Sequence, residues 1–210
     1  MAKIDMGRSR FKIQRRLGVE LPGLGKAGAL ERKPYGPGQH GMQRKKLSDY
    51  TVRLLEKQKV MFNYGLRESQ LRNYVKNAKK VKTASWVDTM IIALESRLDN
   101  VVFRLNWAPS TPGARQMVSH KHIKVNGKTV NVPAYQVKPG DVIEISDTGA
   151  KSGNYLQAKV RPRISSVPAF LTKEAVAEKE KAKMVAKPLA EDIPFAFEKR
   201  LVIEYYWKVK

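Results

Sequence analysis

The sequence of 210 residues has no cysteine and few acidic residues. The lack of cysteine excludes disulfide bonds and thiolate zinc sites, and leaves only His40, His120 and His122 as imidazole ligands. There is also no run of 18 or more apolar residues, as a transmembrane helix would need, and the N-terminal residues lack the apolar segment of a secretory signal. We therefore expect a cytoplasmic protein without a metal or a cofactor.

Acidic residues are outnumbered throughout the chain. The sequence has 41 Lys and Arg against 19 Asp and Glu, a formal net charge of +22, which favours a polyanionic partner such as nucleic acid. Basic and acidic residues number 12 and 3 in residues 1–46, 9 and 3 in residues 47–83, but only 7 and 4 in residues 95–146. A specific role for residues 95–146 must therefore depend on where their charges are placed and not on how many there are. Any one basic run in the chain is equally typical of a solvated helix face.

Helical patterns dominate the middle of the chain. Ser48 suits the N-cap of a helix that ends before Gly65, and a second helix is predicted over residues 68–80. The cations of the second helix recur every three or four residues and so form a basic ridge on one side: Arg72, Lys76, Lys79 and Lys80.

Residues 85–105 predict one long helix. An apolar stripe runs from Val87 to Leu105, and the opposite side carries Arg97, Asn100 and Arg104, which could face one ligand together or simply face water.

A short helix and a hairpin should follow. Pro112 fits the first turn of a helix, and Asn126-Gly127 lies between two alternating segments as a type I′ turn requires. Residues 141–145 predict a third strand. Nearer the C-terminus, residues 172–187 have the composition of an Ala-rich helix and residues 201–209 that of a strand that packs back onto the protein.

Two glycine-rich stretches resemble phosphate loops without their context. Residues 23–28, GLGKAG, match a dinucleotide-binding pattern but lack the strand before it and the helix after it. The turn-rich PYGPGQ at 34–39 could approach a nucleic-acid backbone or be a plain tight turn. No catalytic triad, carboxylate pair or metal motif is apparent, so we do not expect an enzyme.

Several separated motifs together resemble one family. SRLDNVVFRL, ARQMVSHKHIKVNGKTVNVPAYQVKPGDVIEI, PGQHG, LSDY, EKQK and LRNY are similar to the bacterial small-subunit ribosomal protein S4 family, from about Arg15 to the C-terminus.

The resemblance implies an α+β fold in three parts. These are an irregular basic N-terminal arm (1–46), a helical domain (47–96, completed by 161–210) and a small helix-helix-β-hairpin S4 RNA-binding domain (97–160). It also implies a structural protein that binds 16S rRNA near a junction in the five-prime domain, nucleates assembly of the 30S subunit body and influences translational accuracy through contact with ribosomal protein S5. Messenger RNA is a possible further partner.

The resemblance transfers RNA contacts to matching positions of this chain. They are Arg15, Arg16, Gln39, His40, Ser48, Tyr50, Lys57, Lys59, Arg72, Asn73, Tyr74, Arg97, Asn100, Arg115, Ser119, His120, Lys121 and Lys124. The chain departs from many relatives before the first basic pair, where it has GRSRFK, and at Thr111, where an arginine is common. Some relatives hold zinc with N-terminal cysteines, which this chain does not have.

The sequence argues against two other classes of protein. An enzyme carrying the same RNA-binding module would need a large catalytic domain, for which about 50 residues remain. A DNA-packing protein would explain the charge alone, but its usual Lys/Ala/Pro repeats are absent.

Overall fold

The computed structural model describes residues 9–43, 46–81, 85–176 and 179–208. As predicted, they form an α+β protein, and none of the helices in these ranges is long and apolar enough to cross a membrane. The helices are α1 (Arg10–Leu17), α2 (Ala29–Arg32), α3 (Asp49–Asn63), α4 (Glu68–Lys80), α5 (Trp86–Glu95), α6 (Leu98–Arg104), α7 (Thr111–Ser119), α8 (Asp147–Ala150), α9 (Gly153–Val160) and α10 (Lys199–Lys208), with a 3-10 helix at Pro22–Leu24. The strands are β1 (Ile123–Val125), β2 (Lys128–Thr129), β3 (Val142–Ile145), β4 (Leu171–Val176) and β5 (Lys179–Met184).

The chain divides into two compact units. The first contains residues 1–87 and 193–210, and the second contains residues 88–192. The predicted helical domain took in all of 161–210, whereas only the part from residue 193 groups with the first unit. Residues 161–192 group with the second unit because β4 and β5 extend its sheet.

Helices α3 and α10 form the centre of the first unit. Tyr205 of α10 is buried, with its ring centroid 6.0 Å from that of Tyr50, and Arg53 of α3 binds Glu204 at 2.7 Å. The N-terminal residues join this unit, since the backbone N–H of Gly23 donates to the side chain of Asn63 on α3 at 3.0 Å. Residues 9–43 are therefore a packed lobe of this unit, with Leu21 and Leu24 buried.

The second unit is built on a five-stranded antiparallel sheet in the order β2-β1-β3-β5-β4. Directly paired apolar residues, such as Ile123 with Ile145 and Ile143 with Ala182, point to one face because side chains alternate along a strand. That face is buried together with apolar side chains of α6 and α7 and the fully buried Trp107. The sheet thus supports the helix pair that precedes it.

Several local predictions are confirmed. The side chain of Ser48 accepts a hydrogen bond from Thr51 N–H at the start of α3, and α4 spans the predicted residues. Pro112 lies in the first turn of α7. Asn126 and Gly127 have φ values of 50° and 77°, so both adopt the left-handed backbone that the two-residue turn requires.

The prediction of one continuous helix over residues 85–105 is wrong, because the helix breaks at Ser96 and Arg97. The backbone N–H groups of Leu98 and Asp99 donate to the carbonyls of Tyr135 (2.8 Å) and Pro133 (3.1 Å) rather than to the preceding turn. The predicted apolar stripe is nevertheless buried along both helices. A distant extended segment therefore satisfies the backbone at the break.

Both predictions for the C-terminal region are also wrong. Residues 171–176 and 179–184 form the paired strands β4 and β5 instead of a helix, since β5 also pairs with β3 and buries Ala182 and Met184 at alternate positions. Residues 199–208 form α10 instead of a strand, with Val202 and Tyr206 buried one helical turn apart. In both places tertiary packing overrides the local propensity. The prediction that the C-terminus packs back is correct.

Candidate nucleic-acid interface

Two arginines of the second unit share one buried carboxylate. Arg97 binds Asp99 through Nε (2.9 Å) and Nη2 (2.7 Å), and Nη2 of Arg115 approaches the same carboxylate at 3.1 Å. The side chains of Arg97 and Asp99 are 4% and 1% exposed, whereas that of Arg115 is 29% exposed. We call these three residues the Asp99 cluster. The three side chains together carry a formal charge of +1, and of the three only Arg115 reaches the surface.

The polar side of the predicted long helix is not exposed. Arg104 binds Glu95 with two hydrogen bonds of 2.9 and 2.8 Å, and the amide of Asn100 donates to the same carboxylate at 2.8 Å. Because Arg97, Asn100 and Arg104 are each 3% exposed or less, the expectation that they face a ligand or water together is corrected. These charges are buried in paired form, as burial without a partner would be very costly.

The C-terminal end of α7 presents exposed polar groups. Ser119, His120 and Lys121 are exposed, and Lys124 on β1 is half-buried. The backbone of Lys121 has a φ of 64°, and its N–H donates to the carbonyl of Val118 at 3.0 Å, which ends the helix in a tight turn. Arg97 and Arg115 thus meet at Asp99, and Lys121 lies just after the helix that carries Arg115.

In the N-terminal lobe, two adjacent arginines have different surroundings. Arg15 donates to the carbonyl oxygens of Tyr35 and Gly36, both at 2.9 Å, and its guanidinium lies 4.9 Å from the Tyr35 ring centroid. Arg16, like Gln39 and His40 nearby in the lobe, is exposed. Arg15 therefore holds the glycine-rich turn, while its neighbour points to solvent.

The predicted residues of α3 and α4 also separate by environment. Lys57 is buried, with Nζ 2.6 Å from Glu68 and 4.9 Å from the Tyr205 ring centroid, and Lys59 pairs with Glu56. Ser48, Tyr50, Arg72 and Asn73 are exposed and Tyr74 is half-buried. The basic ridge of α4 is exposed along its length, opposite the buried Leu71, Val75 and Ala78.

Two side chains of the first unit have shifted pKa values. The carboxylate of Glu68, which binds Arg72 at 3.1 Å, raises the pKa of that guanidinium. Burial, with the hydroxyl of Tyr50 beside it, raises the pKa of Tyr205 to about 12. The arginine is therefore charged and the phenol neutral throughout the physiological range.

The sequence patterns did not identify the acidic residues that organise these basic groups. Asp99 lies two positions after Arg97, and Glu95 lies nine before Arg104, separations that do not place the pairs on one face of a continuous helix. The sequence signal was the presence of two acids in a basic segment. Among the residues that the structure describes, no group of three His, Asp or Glu is arranged to hold a metal ion.

A broken helix pair on a small sheet, with an exposed basic edge, defines a structural RNA-binding module. Comparison with known proteins agrees: residues 6–95 match the model of the "Ribosomal protein S4/S9 N-terminal domain" and residues 96–143 match the "S4 domain". The chain belongs to the S4 family of small-subunit ribosomal proteins, which are structural proteins and not enzymes.

Relatives match the chain over nearly its full length. The small ribosomal subunit protein uS4B of Bdellovibrio bacteriovorus is 53% identical over 94% of each chain. The uS4 proteins of Methylobacillus flagellatus and Nostoc punctiforme are 41% and 45% identical, each over 94% of this chain and 95% of the relative. The family resemblance derived from the motifs is thereby confirmed.

Proposed function

We propose that this protein binds 16S rRNA directly, as a structural component of the small ribosomal subunit. The observation that carries the proposal is the exposed edge at the end of α7. There Arg115 reaches solvent from a cluster with net positive charge, and Ser119, His120 and Lys121 follow on the surface. Such an edge suits RNA, which proteins recognise largely through phosphates, 2′-hydroxyls and irregular shape.

Environment divides the predicted RNA contacts into two groups. We assign direct contact to the exposed or half-buried side chains that remain accessible: Arg16, Gln39, His40, Ser48, Tyr50, Arg72, Asn73, Tyr74, Arg115, Ser119, His120, Lys121 and Lys124. Arg15, Lys57, Lys59, Arg97 and Asn100 hold neighbouring groups of the protein, and we assign them a positioning role. The basic ridge of α4 adds sequence-independent attraction to phosphates.

Binding measurements on the full chain test this proposal. Affinity for small-subunit RNA should fall by roughly 10³- to 10⁵-fold between about 50 and 200 mM salt, if on the order of 6 to 10 phosphates are contacted as on duplex DNA. Lys121→Gln should weaken binding and reduce the salt slope by about 1, whereas the exposed Lys138→Gln should change neither. Equal affinity for an unrelated structured RNA, or for duplex DNA in competition, would contradict a specific ribosomal role.

The finer functions are proposals that rest on family membership. We propose binding near the junction in the five-prime domain, nucleation of the 30S body, contact with ribosomal protein S5 and, through it, an influence on accuracy. Footprinting on full-length RNA locates the binding site. Reconstitution with and without S5, followed by a misreading assay, tests the protein contact. If the footprint and the error rate are unchanged without S5, the proposed contact with S5 is contradicted. Binding of the protein to its own messenger RNA can be measured by the same footprinting assay.

A further inference from the structure

A pocket of about 350 Å³ opens beside the end of α7. It belongs to the second unit and is separate from the Asp99 cluster. Its lining comes from the last turn of α7, the start of β1 and the first turn of α9: Gln116, Met117, His120, His122, Ser152, Gly153 and Asn154. The volume is at the lower end of the roughly 300 to 1,000 Å³ that small-ligand sites enclose.

The backbone around Lys121 brings two imidazoles to this pocket. Because Lys121 has a left-handed conformation, His120 and His122 both lie at the pocket, with ring centroids 6.0 Å apart and ring planes inclined by 58°. The carbonyl of His122 accepts from Ser146 N–H at 2.9 Å, and a Cβ added to Gly149 would lie 2.7 Å from that oxygen. The backbone of His122 is thus fixed by close packing, and Nδ1 of its ring lies 3.5 Å from the hydroxyl oxygen of Thr148.

Two side-chain amides complete the pocket. Nδ2 of Asn154 donates to Oε1 of Gln116 at 3.2 Å, which orients both groups. Oδ1 of Asn154 and Nε2 of Gln116 then supply an acceptor and donors side by side, and the pair offers both functions whichever amide donates to the other. Beneath them Met117 is 1% exposed and forms an apolar floor.

These groups favour a nucleobase over a phosphate. The described residues that line the pocket include no lysine or arginine, which are the usual side chains for phosphate oxygens. Flat imidazole faces stack on unpaired bases, and Asn and Gln amides form paired hydrogen bonds with base edges. We propose that the pocket binds one unpaired nucleobase of the RNA. This inference rests on the proposed function and adds Gln116, His122 and Asn154 to the binding surface.

The test compares His122→Ala, His122→Phe and Asn154→Ala in the full chain, with Gln157→Ala as a control on an exposed amide of α9. Small-subunit RNA is the probe, and the dissociation constant is measured over a range of salt concentrations. His122→Ala should weaken binding roughly fivefold, the low end for loss of base stacking, without changing the salt slope. His122→Phe should restore affinity, since it keeps a flat ring, and Gln157→Ala should bind normally.

Chemical probing of the base edges supplies a second measurement. One base should be protected by the wild-type protein and exposed again in Asn154→Ala, while backbone protection elsewhere persists. If His122→Ala and Asn154→Ala bind the RNA with normal affinity and give normal base protection, the proposal that the pocket binds a base is overturned. The proposed function is then unaffected. A reduced salt slope in His122→Ala would instead identify a phosphate contact and overturn the proposal that the pocket binds a base. Failure of the wild-type protein to bind the RNA would overturn both proposals.

Discussion

The arginines of α6 and the lysines of α4 carry the same charge in opposite surroundings. Arg104 is 2% exposed and forms two hydrogen bonds with Glu95, whereas Lys76 and Lys80 are exposed on the ridge of α4. The difference lies in the buried carboxylates at the break between α5 and α6. In these two helices a basic residue therefore stabilises the fold where an acid is buried beside it, and is available to a polyanion where none is.

The largest effect should come from removing an organising acid. Asp99→Ala leaves Arg97 buried without its carboxylate, and we expect it to lower the free energy of unfolding by about 3–5 kcal/mol, the usual range for breaking a buried ion pair. Urea denaturation of Asp99→Ala and of Glu191→Ala, an exposed acid in the same unit, provides the comparison. A loss as small as that of the control would mean that the Asp99 cluster does not stabilise the fold.

The adjacent arginines of α1 sharpen the comparison within one helix. Arg15→Ala removes a charged donor from two backbone carbonyls and should cost about 1.5–3 kcal/mol of stability. Arg16→Ala should stay within about 0.5 kcal/mol of the wild type but weaken RNA binding. Thermal unfolding and RNA titration separate the two effects. Equal stability losses would contradict the division between positioning and contact residues.

Removing cations from the ridge should affect binding and spare the fold. The double variant Lys76→Gln/Lys80→Gln should reduce the slope of log affinity against log salt by about 2, because two phosphate contacts are lost. Its free energy of unfolding should change by less than about 0.5 kcal/mol. An unchanged salt slope would show that the ridge of α4 does not contact RNA, even if other parts of the surface do.

The smallest effect concerns an acid at the edge of the second unit. Burial would raise the pKa of Glu180, but hydrogen bonds from Lys159 and Trp107 and the charge of Lys173 hold it below its ordinary value. A depressed pKa contributes stability above the unfolded-state value of about 4.3, and that contribution disappears as the pH falls through the folded-state pKa. Acid should therefore destabilise the wild type.

The matched variants for this acid are Glu180→Gln and Glu174→Gln, the latter an exposed position on β4. Stability measured as the pH falls below about 4.3 should depend less on pH in Glu180→Gln than in the wild type, while Glu174→Gln should behave like the wild type. Identical pH dependence in all three proteins would mean that the ion pair with Lys159 contributes nothing to stability.

Predictions succeeded where short-range chemistry sets the backbone. Ser48 caps α3, and Asn126-Gly127 makes the hairpin turn, because a capping oxygen or a left-handed φ is a property of one or two residues. The helix over 172–187 failed for the opposite reason. Its alanines and charges favour a helix, but pairing Lys181 with Glu144 of β3 at 2.8 Å and burying Ala182 requires a strand.

The candidate site divides in the same way. The motifs transferred RNA contacts to Ser119, His120 and Lys121, and these side chains are exposed. The same motifs could not show that Arg97 is buried and Arg115 partly exposed. Whether a guanidinium is buried depends on the path of residues 133–137 past the helix break. The place of Asn154 in the pocket could not be predicted either, because Asn154 lies 38 positions from the Gln116 that it contacts.

The sequence by itself determined the basic character of the protein, its family and local features such as the start of α3 and the turn at Asn126-Gly127, because charge, motif and local backbone preference are encoded in neighbouring residues. Only the tertiary structure decided which cations are buried and which are exposed, and whether the C-terminal segments are strand or helix. Those outcomes depend on partners far away in the chain, whose approach changes the free energy of a charge or a backbone hydrogen bond by more than local preference does.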